Sequence, residues 1–221
     1  MSNDIVLPHL VRAYLTAKQS IIDSGFGFEI DWQHDLCLSR LSESHFLRET
    51  AWVILSAGMR ESVIRGKFTE ITKAFLGWEN AKSIVRHRNQ CKRNAMAIFA
   101  NERKVSAILK VAEQVDRQGF QFVRYSLERN PTAYIRELPF MGPATTFHLA
   151  KNLGVPVVKP DRHLVRVSKK VGYPSPEELC QAIARFVGDK VAVIDLVIWR
   201  YATLNRDYLS LFPMCRHDIF N

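Results

Sequence analysis

Proline and glycine punctuate residues 130–166 so closely that only short helices joined by a tight turn fit the stretch, which reads NPTAYIRELPFMGPATTFHLAKNLGVPVVKPDRHLVR. Asn130 is placed to cap a helix whose first residue is Pro131, where the missing N–H costs nothing. Tyr134, Ile135 and Leu138 share the apolar face of that helix. Pro139 ends it. Phe140-Met141-Gly142-Pro143 must then form a compact hairpin, with Gly142 expected to supply conformational freedom and close backbone approach. A second helix is expected from near Ala144, with Phe147, Ala150 and Leu153 on its apolar face and Gly154 past its end. Further on, Pro160 biases the residue before it toward extended backbone and leaves Asp161 at the N-cap of a third helix carrying Arg162, Leu164 and Val165.

Most of the remaining chain has apolar residues at helical spacing. Leu10, Val11, Tyr14, Leu15, Ala17 and Ile21 predict a helix over 9–23, ending at Ser24-Gly25. Ser44 is the expected cap of a helix running through Trp52 and Leu55 to Gly58, followed by another over 62–76. Residues 79–99 set Arg86, His87, Arg88, Lys92 and Arg93 beside the apolar run Met96–Phe99, which suits a solvated helix face or a phosphate-contacting one equally. Lys104 to Gln118 reads as an amphipathic helix closing at Gly119. Ser175-Pro176-Glu177-Glu178 combines a capping box with proline at the first helical position and opens a helix to about Val187. The helix expected over 189–203 is apolar nearly all round, hence buried, and Asp195 interrupts it. That carboxylate should be paired, with Arg200 or a basic residue elsewhere, the alternative being a second catalytic acid. Tyr208, Leu209, Leu211 and Phe212 are expected to dock on the body. Only residues 26–34, where Phe26, Phe28, Ile30 and Trp32 alternate, and the Val155–Val158 run argue for extended chain, so the expected fold class is all-α.

Charge narrows the partners. Lys and Arg number 31 against 22 Asp and Glu, a formal charge of +9, which favours a polyanion because neutralised phosphates release counterions. The four cysteines, Cys37, Cys91, Cys180 and Cys215, form no C-x-x-C pair, so neither a disulfide framework nor a standard zinc site is indicated. His87 with Cys91, and Cys215 with His217, would hold a metal only if folding brought them together; reduced thiols are the simpler reading. No long apolar run or signal peptide is present, so a cytoplasmic, nucleoid-associated protein is expected, or a nuclear one in a eukaryote.

Leu138-Pro139-Phe140-Met141-Gly142-Pro143-Ala144, followed by Lys159-Pro160-Asp161-Arg162-His163, resembles the helix-hairpin-helix DNA glycosylases, the HhH-GPD superfamily. Its hairpin pattern is Leu-Pro-Gly-hydrophobic-Gly, with a catalytic Asp beyond the second helix; here Asp161 lies 19 residues after Gly142, which fits. Two residues depart from the pattern. Phe140 stands where the first hairpin glycine belongs, so the turn's contact with a phosphate is altered. Ala144 stands where strand-cleaving members carry a lysine nucleophile, so a Schiff-base route is closed.

The resemblance implies two helical domains, residues 44–142 and residues 1–43 with 143–221, and a cleft that takes an extruded nucleotide. It assigns catalysis to Asp161, since breaking an N-glycosidic bond develops positive charge on the sugar that a carboxylate stabilises while orienting the attacking water. An Asp that merely caps its helix is the structural alternative, and His163 either helps to place that cap or water or is structural. Phe140, Met141, Gly142, Ala144 and Thr145 would meet DNA, the Gly142 and Ala144 N–H groups at a helix N-terminus taking a phosphate oxygen. No cofactor is expected except a monovalent cation, Na or K, on the carbonyls of Leu138 and Met141. Ile54–Gly58 is similar to the segment that places a wedge in the gap left by a flipped base, which makes Met59 or Arg60 the wedge. Phe28, Trp32 and Trp52 are the base-pocket candidates, with core packing as their alternative. The expected partner is double-stranded DNA carrying a damaged or modified base, with no membrane, and the protein is expected to be a monomer. The expected activity is hydrolysis of the N-glycosidic bond by a monofunctional glycosylase, leaving an abasic site. A non-catalytic helix-hairpin-helix protein that binds DNA structures, or an RNA-directed factor, would share the charge and the hairpin.

Overall fold

A computed structural model describes residues 3–214, with side chains from Leu7 onward, and among these residues the fold is all-α. The helices are α1 (Asn3–Ile21), α2 (Gly27–Asp35), α3 (Glu43–Ser56), α4 (Glu61–Ala74) and α5 (Ala81–Arg86). They continue as α6 (Arg88–Ile98), α7 (Glu102–Gln118), α8 (Phe120–Arg129), α9 (Pro131–Arg136) and α10 (Pro143–Asn152). The last are α11 (Arg162–Val171), α12 (Pro176–Val187) and α13 (Val191–Leu204). Among the described residues no helix is long and apolar enough to cross a membrane.

Several boundaries follow the local chemistry read from the sequence. Asn130 Oδ1 accepts the Ala133 N–H at 3.3 Å and Pro131 opens α9, while Ser175 Oγ accepts the Glu178 N–H at 3.1 Å at the start of α12. Other boundaries differ. Ser42, not Ser44, caps α3 by accepting the His45 N–H at 3.1 Å. Residues 79–99 hold two helices rather than one, since Asn80 starts α5 afresh and the chain turns at His87. The segment read as extended, 26–34, is helical. Its alternating aromatics concealed a helical face: Glu29, Ile30 and Gln33 are buried, while Phe28 is 57% exposed. Gly25, at φ +86°, makes the bend that lets α2 leave α1.

The chain forms two compact units, one containing the described residues up to Leu36 and from Pro156 onward, the other Cys37–Val155. In the first, α1, α11, α12 and α13 enclose a core of Leu10, Tyr14, Ile21, Leu164, Val167, Leu179, Val193 and Val197. Tyr208 and Phe212 also belong to that core, as their docking predicted. In the second, α3 and α7 pack together with α5 and α10 against them, burying Phe46, Ile54, Ile84, Ile108 and Leu149. By internal packing the second unit takes in all of α10. The physical reason is the C-terminal end of α10, where buried Asn152 donates to Glu49 Oε2 of α3 at 2.9 Å. Burial pushes the Glu49 carboxyl up from its ordinary value, and a polar group so placed is stable only with its partner.

Candidate active site and nucleic-acid contacts

Asp161 stands at the start of α11 on a backbone whose N–H groups are nearly all committed. Its Oδ1 accepts from the N–H groups of His163 (2.8 Å) and Leu164 (3.0 Å), so the N-cap read from the sequence is present. Just before it the Asp161 N–H donates back to the Lys159 carbonyl at 2.8 Å, a three-residue turn centred on Pro160. Two carboxylates from other helices then fix the approach. Glu177 Oε2 of α12 accepts the Val158 N–H at 3.2 Å, and Asp195 Oδ2 of α13 accepts the Lys159 N–H at 2.5 Å. Asp195 is only 1% exposed, so water has little access to the accepting carboxylate although the bond as a whole is half-buried. Among the described residues Asp161 Oδ2 has no hydrogen-bond partner. One oxygen of the carboxylate is thereby spent on the helix, and the other is available for chemistry.

Arg200, the first partner proposed for Asp195, forks onto Glu29 of α2 through Nε (2.8 Å) and Nη2 (2.6 Å). Its guanidinium also lies over Phe26 and Trp199, 4.5 and 4.7 Å from the ring centroids. The sequence could not show this pair while 26–34 was read as extended. His163 packs edge-on against Tyr208, with ring centroids 5.2 Å apart. Its Nδ1 and the Tyr208 hydroxyl are buried without a hydrogen-bond partner among the described residues. Burial holds the imidazole below its ordinary value.

The hairpin lies in the other unit, between α9 and α10. Tyr134 ties α9 to α7 by donating its hydroxyl to Gln118 Oε1 at 3.0 Å. In the turn the Met141 N–H donates to the Leu138 carbonyl at 3.2 Å, so one of the two carbonyls expected to hold a cation already accepts a turn bond. Gly142 is not where conformational freedom is needed: its φ is −107°, open to any residue. Phe140 is the left-handed residue of the turn, at φ +71°, a conformation that glycine adopts more readily. The Gly142 N–H, expected to face a phosphate, donates to Thr145 Oγ1 at 2.7 Å. The Thr145 and Thr146 hydroxyls in turn donate to the Gly142 carbonyl at 3.1 and 2.8 Å. Ala144 is exposed in the first turn of α10 and presents no amine.

Lys104, which pattern reading treated only as the start of a helix, joins the hairpin to the end of α3, just before the residues expected to act as a wedge. It is 5% exposed, and Nζ donates to the carbonyls of Leu55 (2.6 Å) and Ala57 (2.7 Å) at the end of α3. The same Nζ lies 5.8 Å from the centre of the Phe140 ring. Burial lowers its pKa. Just past Ala57, Met59 is 41% exposed and Arg60 is exposed as well, the condition a wedge has to meet. The pocket candidates are not gathered in one unit. Trp52 packs edge-on against Phe68 at 5.0 Å, whereas Phe28 and Trp32 belong to the unit that carries Asp161.

Among the described residues no group of three or more His, Cys, Asp or Glu side chains is placed to hold a metal ion. His87 Nδ1 lies 2.9 Å from the Ser83 carbonyl, while burial pushes the Cys91 thiol up. Cys215 and His217 lie outside the described residues. Two of the basic residues over 86–93 are engaged, Arg88 with Glu113 and Lys92 with Glu102. No protein-family model matches the chain, and no curated protein matches it.

Proposed function

We propose that the chain is a monofunctional DNA glycosylase that turns a damaged or modified base out of the duplex and hydrolyses its N-glycosidic bond with Asp161. The observation that supports this best is the division of labour in that carboxylate, with Oδ1 bound to the α11 N-terminus and Oδ2 unpartnered on a backbone fixed from α12 and α13. As the C1′–N bond lengthens, negative charge at Oδ2 stabilises the positive charge growing on the sugar. A water oxygen bonds to C1′, its proton passes to the carboxylate, and the bonding pair leaves with the base, so that an abasic site remains. The cleft of the resembling superfamily, and double-stranded DNA as partner, belong to the same proposal. Extrusion costs a few kcal/mol, which an inserted Met59 or Arg60 would offset.

A second reading has an observation of its own: the Asp161 cap explains that residue without catalysis, and the hairpin and charge would serve a protein that only binds DNA structures. Duplexes carrying alkylated, oxidised, deaminated and hypermodified bases separate the two when scored for released base and for strand breaks before and after alkali. With Ala144 in place of an amine nucleophile, base is released from at least one duplex and breaks appear only after alkali. Binding across the whole series with no base released supports the second reading.

A further inference from the structure

The residue that departs most from the resembling hairpin is Phe140, and its surroundings give it a role. A phenylalanine in the left-handed region carries a conformational cost that glycine avoids, and such strain persists only where neighbours over-determine it. Two cations meet the ring: Lys104 Nζ at 5.8 Å and the Arg103 guanidinium at 5.2 Å from its centre. They differ in what else they do. Lys104 is buried and spent on the α3 carbonyls, whereas Arg103 is exposed and makes no ion pair or hydrogen bond among the described residues. The nearest acid in sequence, Glu102, is taken by Lys92 at 2.7 Å.

The turn itself is short of a donor, because Thr145 has the Gly142 N–H. Nothing among the described residues demands glycine at 142. A Cβ there would meet Thr145 Oγ1 at 3.9 Å and nothing nearer, and the backbone is not left-handed. We propose that Arg103, lying over the strained ring of Phe140, is the hairpin's phosphate contact, taking over from the Gly142 amide and binding a DNA phosphodiester. A guanidinium suits this task because stacking fixes its plane while the edge N–H groups stay free for phosphate oxygens. The assignment rests on DNA being the partner but not on Asp161 being catalytic, so binding tests it independently of base release.

The experiment is equilibrium binding of an unmodified fluorescent duplex across a salt series by wild type, Arg103→Ala, Phe140→Gly and the double variant, with thermal melting of each. Arg103→Ala should melt like wild type, bind roughly tenfold more weakly, the worth of one charge-assisted hydrogen bond, and lower the slope of log K against log salt by about 0.9. Phe140→Gly should melt at or above the wild-type temperature, since glycine accepts the left-handed backbone. It should nevertheless lose a similar factor in binding, and the double variant should lose no more than Arg103→Ala alone. Phe140→Gly binding as tightly as wild type or tighter would mean that the ring only obstructs the turn, and the proposal would fall. An unchanged salt slope in Arg103→Ala would overturn it equally. A wild type that does not bind DNA would overturn it together with the DNA reading, whereas binding without base release would affect only the catalytic one.

Discussion

At the scale of single residues, His163 shows how a side chain beside the candidate catalytic group can be decided by burial. The unfolded imidazole takes its proton as pH falls through about 6.5, whereas the buried ring takes one only at lower pH. In that window the unfolded chain binds more protons than the folded one, so stability falls as pH falls from about 6.5 toward the lowered folded value. His163→Phe keeps an aromatic ring against Tyr208 and removes the titration. Its melting temperature should therefore decline less than that of wild type between about pH 7.5 and pH 5; the same decline in both would show that His163 contributes nothing to it. The Asp161 cap could be read directly from Pro160-Asp161 because it is local, involving N–H groups two and three residues away. The Phe140 conformation could be anticipated only as a departure from a glycine pattern, and the Thr145 bond that occupies the Gly142 N–H was not anticipated at all.

At the scale of elements, the short segment between α10 and α11 depends on helices far along the chain. Its Lys159 N–H is held by Asp195 from α13 and its Val158 N–H by Glu177 from α12. Sequence periodicity identified Asp195 as an anomaly on a buried helix, but it could not name a backbone amide 36 residues earlier as the partner. The same limit applied to α2, where tertiary pairing of Glu29 with Arg200 prevailed over an alternating aromatic pattern that reads as a strand. Asp195→Ala leaves the half-buried Lys159 N–H without this acceptor and should cost about 1 kcal/mol in chemical denaturation. If Asp161 is the catalytic carboxylate proposed above, Asp195 acts on it as a positioning residue through the Lys159 N–H, so under conditions where Asp195→Ala is folded kcat should fall more than KM changes, with Asp195→Asn partly restoring it. A rise in KM with unchanged kcat would show that the bond does not align the carboxylate.

At the scale of the whole molecule, the all-α class was legible because nearly every segment repeats at helical spacing, and the tail was placed on the body by its apolar residues, of which Tyr208 and Phe212 enter the core. The attachment of α10 to α3 was not legible, since it includes Asn152 bonding to buried Glu49 across more than a hundred residues of chain. The excess of 31 basic over 22 acidic residues becomes more specific once some cations are matched to acids: Arg103 remains unpaired among the described residues beside the hairpin. The central claim is that the second oxygen of Asp161 carries out base hydrolysis, and the most direct test compares base release by wild type and Asp161→Asn on the same modified duplex. Asparagine caps a helix about as well as aspartate, so the variant should melt within about 1 kcal/mol of wild type while base release falls by about a hundredfold or more. Equal release by the two proteins would contradict the claim and leave Asp161 as the cap of α11.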